Sequence, residues 1–516
     1  MTASPDTESR LTNIFRSVRL EHPEPIETKL TGNLPSWLNG SFLRNGPGLF
    51  EVGNQSYKHT FDGLALLHRF KIHDGKITYQ SRFLRSDVYK NNMEANRILY
   101  SEFGTLSYPD PCKTIFQRLF WYFQPPTLED NCNINWLNLA DELYVCTESQ
   151  YLRKVNPVTL ETGDKLDYSQ YVSINTASAH PHTLPDGTVY NVGYSFGITT
   201  TYNIIKIQPK TGHNALESAT IVCSIPTRYR LRPSYFHSFA ITANFIVFLE
   251  QPLFVNVLKI ASAKFMGKSI NSALEFDPQS PAIFHIISRH SGKPSQIKYV
   301  ADGFFCFHHV NAYEENNHII IDLSAHTDIT IIQSTLLEKV QTNRKPILDI
   351  GVRRYTIPID IHQDTPVDIN LVGLEYTLST AVLQQNGEVY LTWESITNTG
   401  IELPIINYEE YNGRKYRYAY GVSPTADSLI KVDFETKSCK EWKDTKYHYP
   451  GEVAFVTAPE PSSEDDGVLI SCILSSRNDM PPYLLILDAR TFEEIARAEV
   501  SVAMAFALHT MFIKHK

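Results

Sequence analysis

Residues 151–162 read YLRKVNPVTLET, and the same spelling returns as YNIIKIQPKTGH at 202–213, SLIKVDFETKSC at 428–439 and YLLILDARTFEE at 483–494. In each, an apolar run, carrying Lys or Arg in the first three, ends in Asn, Gln or Asp and passes into a Thr-containing turn, the pattern of a strand closed by a tight connection. Members of the two close pairs lie roughly 50 residues apart, the period of a four-stranded propeller blade. About 500 residues at that period make about seven blades. Strand-and-turn spelling recurs in any β protein, so the period alone does not decide.

Other short strands are expected behind turn residues throughout, among them 142–146 (ELYVC), 187–191 (GTVYN), 244–249 (NFIVFL), 318–321 (HIII), 387–391 (GEVYL) and 467–471 (GVLIS). No Pro/Gly/Ser-rich linker divides the chain, so residues 1–516 are read as one domain. With 28 Tyr and 27 Phe the composition leans toward strands and aromatic-lined cavities.

The net charge of -9 comes with no long basic run, which excludes a nucleic-acid footprint. Seven cysteines, odd in number and never spaced C-x-x-C, argue against a disulfide framework or a thiolate zinc site and fit a reducing cytosol. Residues 1–21 read as neither a secretory signal nor a transit peptide. No apolar run reaches the roughly 20 residues of a spanning helix.

Walker, nucleophile-elbow, H-E-x-x-H and dinucleotide fingerprints are all missing. What remains is an inventory of 18 histidines, several beside strand ends: His180 and His182, His237, His308 and His309, and His509. On a propeller axis such distant positions can converge, and imidazoles alone suit iron, copper, zinc or nickel. Spacing does not select ligands among 18, and any one histidine beside a strand is more often a hydrogen-bonded structural residue.

The selection comes from a resemblance. GSFLRNGPGLFEVG from Gly40, TFDGLALLHRF from Thr60, EFGTLSYPDPCKTIF from Glu102, CTESQYLRKVNPVTLET from Cys146, SAHPHTLPDGTVYNVG from Ser178, PSYFHSFAIT from Pro233, FHHVNAYEE from Phe307 and ARAEVSVAMAFALHTMF from Ala496 are similar to the carotenoid cleavage oxygenase family over nearly the whole chain. The resemblance implies an all-β, seven-bladed propeller, with helical and loop insertions forming a cap and a membrane-docking patch. It also implies one iron(II) held by His180, His237, His308 and His509, with His309 and His182 structural. Glu148, Glu402 and Glu452 match the family's three glutamates behind the ligands, where a carboxylate fixes an imidazole's tautomer and orientation. Dioxygen and a carotenoid are the implied co-substrates, and no organic cofactor is needed.

A carotenoid of about 40 carbons is confined to lipid, so the enzyme must reach a membrane surface. In residues 112–123 a helical reading puts Ile115, Phe116, Leu119, Phe120 and Phe123 on one face. A second candidate segment spans 253–268, with Lys259, Lys264 and Lys268 among large apolar residues. Both could instead pack on the propeller. Phe103 is a candidate lining residue for the route to iron, and Cys112 a candidate acylation site. The expected location is cytoplasmic and peripherally membrane-bound.

Within the family, DNCNIN at 130 and CTESQY at 146 look closer to animal members that cleave carotenoids centrally to retinal, including those that couple cleavage to 11-cis isomerisation. Three alternatives stand beside that reading: a retinoid isomerohydrolase acting on esters without oxygen, an eccentric cleaver, and a carotenoid-binding propeller without activity.

Overall fold

The computed structural model describes residues 11–515 apart from 110, 125–128, 198 and 343–348; residues 1–10 of the N-terminal stretch read above lie outside it. Seven sheets of four to six strands form the blades of a propeller. All four copies of the recurring spelling become the third strand out from the axis. These are Tyr151–Val155 in the second blade, Thr201–Ile207 in the third, Leu429–Asp433 in the sixth and Tyr483–Asp488 in the seventh. The spelling repeats because one structural position repeats.

Each strand is buried on both faces, since a blade packs against a neighbour on either side. Consecutive residues therefore serve different interfaces. Ile205 joins the core between the second and third blades while Ile204 joins that between the third and fourth. Likewise Leu485 faces the sixth blade, whereas Leu484 and Ile486 face the first. Burial on both faces explains why the strands read as continuous apolar runs rather than as alternations. Leu485 is fully buried, so Leu485→Ala is expected to cost about 2–5 kcal/mol, read as a lower denaturant midpoint with unchanged slope.

The ring is closed twice. The C-terminal strand His509–Lys514 is innermost in the first blade, against Gly40–Leu49, with Asn45 opposite His509. The second strand of the chain, Lys29–Gly32, lies outermost in the seventh blade, against Glu494–Glu499. Closure leaves no long inner edge open.

The order departs from simple repetition at one place. After the third strand of the fifth blade, Ile350–Pro358, the chain crosses back to give Ala381–Leu383 and Glu388–Leu391 to the fourth blade, the latter parallel to Lys298–Ala301. It then returns Trp393–Ser395 to the fifth blade. This exchange occupies the long gap in the 50-residue spelling, where the turn at Gly387 marks a hairpin but not the blade that it joins.

Candidate metal centre

Four innermost positions carry the histidines and the remaining three blades carry the glutamates. In the third blade, Thr176–Ala177 and His182–Thr183 both pair with Val189–Ser195, Ala177 opposite Gly193 and His182 opposite Tyr190. Two extra residues are thus pushed out toward the axis, and His180 sits in that excursion. His237 precedes the short fourth-blade strand Ala240–Ile241. In the fifth blade, Phe305–Glu315 shifts register on both sides of His309, which turns His308 inward. His509 opens the innermost strand of the first blade.

The glutamates follow the same rule. Glu452 lies in the register shift between Pro450 and Val453, and Glu402 in that between Glu402 and Ile405, where Leu403 has φ +51°. Glu148 follows the second-blade strand Glu142–Cys146. A bulge re-aims a side chain that a regular pleat would place against a neighbouring blade.

The candidate ligand nitrogens of His180, His237, His308 and His509 lie within 4.8 Å of one another. Three of the rings are held from behind through Nδ1: His237 donates to Glu148 at 2.5 Å, His308 to Glu402 at 2.7 Å and His509 to Glu452 at 2.8 Å. With Nδ1 carrying the proton, each of these rings turns a bare Nε2 lone pair toward the axis. His237 Nε2 is 3.2 Å from His308 Nε2 and 2.8 Å from His180 Nε2. Two lone pairs at such a distance repel unless a cation lies between them. Two imidazole nitrogens at right angles on an ion about 2.1 Å away are about 3.0 Å apart, so the spacing fits one shared metal.

Burial holds two of the rings, His180 and His308, neutral. It pushes His308 down to about 4, against the opposing pull of Glu402, and with the neighbouring imidazoles it holds His180 well below the usual range. For Glu402 burial alone would raise the carboxyl, but hydrogen bonds from His308 and His326 hold it below the ordinary carboxylate range. Three glutamates behind the imidazoles would compensate the charge of a dication held there.

The two histidines set aside as structural have other partners. His182 is engaged by Tyr408 Oη and the Phe239 carbonyl, both at 2.9 Å. His309 Nδ1 lies 2.8 Å from Ser238 Oγ. Two further residues escaped the sequence reading. Tyr235 Oη donates to Glu148 at 2.9 Å, and His326 Nε2 donates to the second oxygen of Glu402 at 2.6 Å, so Glu402 bridges two imidazoles. Tyr235 stands two residues before His237, and that adjacency was its only signal. His326 lies in an ordinary strand, His318–His326, with no signal at all. His326→Phe keeps the ring and deletes the donor, leaving a buried carboxylate oxygen unpaired. The expected cost is about 1–3 kcal/mol and a thermal midpoint lower by a few degrees, with metal affinity weakened about tenfold or more in a chelator titration.

One side of the centre is apolar. Phe307 lies 5.1 Å from the His237 ring, Phe61 lies 6.5 Å from Phe307, and Phe103 lies 5.9 Å from Phe61, within a cluster that includes Leu253, Phe305 and Ile332. The Phe103 carbonyl accepts from Asn271 N at 2.8 Å, in the turn Ile270–Ala273 that follows helix α1, Val257–Met266. An aromatic path thus runs from the histidines to the second candidate docking segment.

The first candidate segment is also a helix, α2, Ile115–Trp121, closed at its start by a capping box of Thr114 and Gln117. None of its residues is buried. Ile115, Phe116, Leu119 and Phe120 are 58–79% exposed and Phe123, just beyond, is 69% exposed. In α1, Leu258, Phe265 and Met266 are exposed as well. These side chains do not pack on the propeller. Cys112 is exposed, and among the described residues no disulfide joins any cysteine. No described helix is long and apolar enough to cross a membrane.

A propeller whose axis gathers four imidazoles, three of them backed by glutamates, defines a class of histidine-ligated metal centre. Comparison with known proteins gives the family. A family model described as retinal pigment epithelial membrane protein matches residues 15–514. The human beta,beta-carotene 15,15'-dioxygenase is 42% identical over 518 residues, covering 97% of this chain and 94% of that protein. The human mitochondrial carotenoid-cleaving dioxygenase is 38% identical over 516 residues, covering 96% and 89%. Among solved structures, a mutant of the Synechocystis apocarotenoid oxygenase has a TM-score of 0.78 at 22% identity, covering 98% of each chain. The chain belongs to the retinal pigment epithelial membrane protein family, the carotenoid oxygenases.

Proposed function

We propose that this protein is a non-haem iron(II) dioxygenase that cleaves a carotenoid at its central 15,15' double bond to give retinal or hydroxyretinal. The observation that carries this reading is the set of four converging imidazoles beside an aromatic path, in a chain 42% identical to a dioxygenase named for that bond. His180, His237, His308 and His509 would hold the metal, which would supply the binding and activation of dioxygen. In the balanced reaction one carbon–carbon double bond breaks, and both oxygen atoms become aldehyde carbonyls. No external reductant is consumed.

The remaining work belongs to the chain. Glu148, Glu402 and Glu452 fix three rings in one tautomer, and Tyr235 and His326 hold two of those glutamates in place. Phe61, Phe103 and Phe307 give the polyene an apolar surface and keep water from the reacting carbons. The exposed apolar side chains of α2 and α1 dock the protein peripherally on the membrane that holds the substrate. A coupled turn of one product half to 11-cis, for visual chromophore, belongs to the same reading and rests on the spelling at 130 and 146.

Product analysis tests the bond. β-Carotene or zeaxanthin in detergent, given to the iron-loaded protein, is expected to yield two aldehydes of equal length on isomer-resolving chromatography, with an 11-cis fraction. Aldehydes of unequal length would replace central with eccentric cleavage.

A further inference from the structure

Arg44 is 1% exposed, its Nη1 has no hydrogen-bond partner, and among the described residues no carboxylate pairs with it. We infer that Arg44 keeps the iron proposed above in its ferrous state, by placing a fixed positive charge behind Glu452 where the first and seventh blades meet. The inference rests on the iron reading and names a residue that sets the potential of that centre.

Three other buried cations show what Arg44 lacks. Arg153 donates to Asp130 at 2.6 Å, Arg354 to Asp322 at 2.8 Å and Lys431 to Asp465 at 2.7 Å. A buried charge is costly unless an opposite charge answers it. The groups packed around Arg44 supply none. His68, directly opposite it in the next strand, is held well below the usual range by burial and by Arg44 itself. The Cys472 thiol is raised by burial against the pull of Arg44. Both are therefore neutral.

On its other side Arg44 lies opposite Thr510, and opposed residues of an antiparallel pair point to one face. Thr510 gives its amide and its hydroxyl to Glu452 Oε2, at 2.6 and 3.0 Å, while Glu452 Oε1 accepts from His509. Gly451 ties the guanidinium to the same place, because a Cβ added there would lie 3.8 Å from Arg44 Nη2. The positive charge thus stands one residue from the glutamate that orients His509. A dication offsets two of the charges that Glu148, Glu402 and Glu452 bring, and Arg44 offsets the third. A fixed positive charge repels ferric iron more than ferrous iron, so it favours the ferrous form. The loss it opposes is one electron passed from ferrous iron to dioxygen, which leaves ferric iron and superoxide.

Neutralising the guanidinium is expected to lower the ferric/ferrous midpoint potential of the iron-loaded protein, read by spectroelectrochemical titration. In Arg44→Met the ratio of ferrous to ferric iron at a fixed potential is expected to fall about tenfold, which is about 59 mV. Gly451→Asp leaves Arg44 in place and sets a carboxylate beside Nη2, so it is expected to lower the potential likewise. Arg44→Lys keeps the charge and is expected to keep the wild-type potential. An unchanged or higher potential in Arg44→Met or in Gly451→Asp would overturn the inference and leave the iron reading standing. So would a fall in Arg44→Lys as large as that in Arg44→Met, which would trace the effect to lost packing. A wild-type protein that takes up no iron would overturn both. Should Arg44→Met fail to fold, Gly451→Asp decides.

Discussion

His509→Ala is expected to strip the protein of iron and abolish carotenoid cleavage while leaving it folded. The ring lies at the first residue of the strand that closes the propeller, opposite Asn45, and its Nδ1 is held by Glu452. Removing it would take away one of the four proposed ligands. The fold survives because Glu452 keeps two other donors on its second oxygen, the amide of Thr510 at 2.6 Å and the Thr510 hydroxyl at 3.0 Å. The remaining strand pairing does not involve the side chain. Iron content after dialysis is expected at background, with turnover lower by about a thousandfold or more and the far-UV spectrum unchanged. An iron-replete and active His509→Ala protein would remove His509 from the ligand set. His237→Ala is expected to behave alike, except that Glu148 retains Tyr235 as its donor.

The second large effect is on membrane attachment. Replacing Phe116, Leu119 and Phe120 together with Ser removes three side chains that are 58–79% exposed, on a helix with no buried residue. At about 25 cal/mol per Å² of apolar surface, three large side chains contribute a few kcal/mol to transfer into lipid. The variant is expected to partition onto vesicles about a hundredfold more weakly, with iron content and melting temperature unchanged. Undiminished binding would mean that another surface meets the membrane.

The fold was legible from the recurring spelling because a propeller repeats one environment. The third strand of a blade is buried on both faces and ends in a turn at the outer side, so residues 151–155, 201–207, 429–433 and 483–488 were spelled alike. The exchange of strands between the fourth and fifth blades was not legible. Strand pairing beyond the next hairpin is set by packing, and 381–383 reads like any other short β run. The helix Ile115–Trp121 was legible from the 3.6-residue spacing of Ile115, Phe116, Leu119 and Phe120, but its exposure was not, since an apolar stripe serves a core equally well.

The metal centre was only partly legible, for a related reason. Its residues come from all seven blades, so no local spacing joins them, and the resemblance rather than the pattern singled out His180, His237, His308 and His509. Physical reasons appear once the backbone is drawn. His180, His308, Glu402 and Glu452 all lie where strand pairing slips. His326 was invisible because its role depends on the far oxygen of Glu402, 76 residues along the chain. Partners of that kind are written in tertiary contacts alone.

The most direct test of the central claim is a single turnover of the iron-reconstituted protein with β-carotene, first without oxygen and then with isotopically heavy dioxygen. The expected result is no product under anaerobic conditions, then retinal with one heavy oxygen from each half of the substrate and about one iron per chain by metal analysis. Carotenoid left intact in the presence of oxygen, with 11-cis-retinol released from a retinyl ester in its absence, would contradict the dioxygenase account and make the same four-histidine centre an isomerohydrolase.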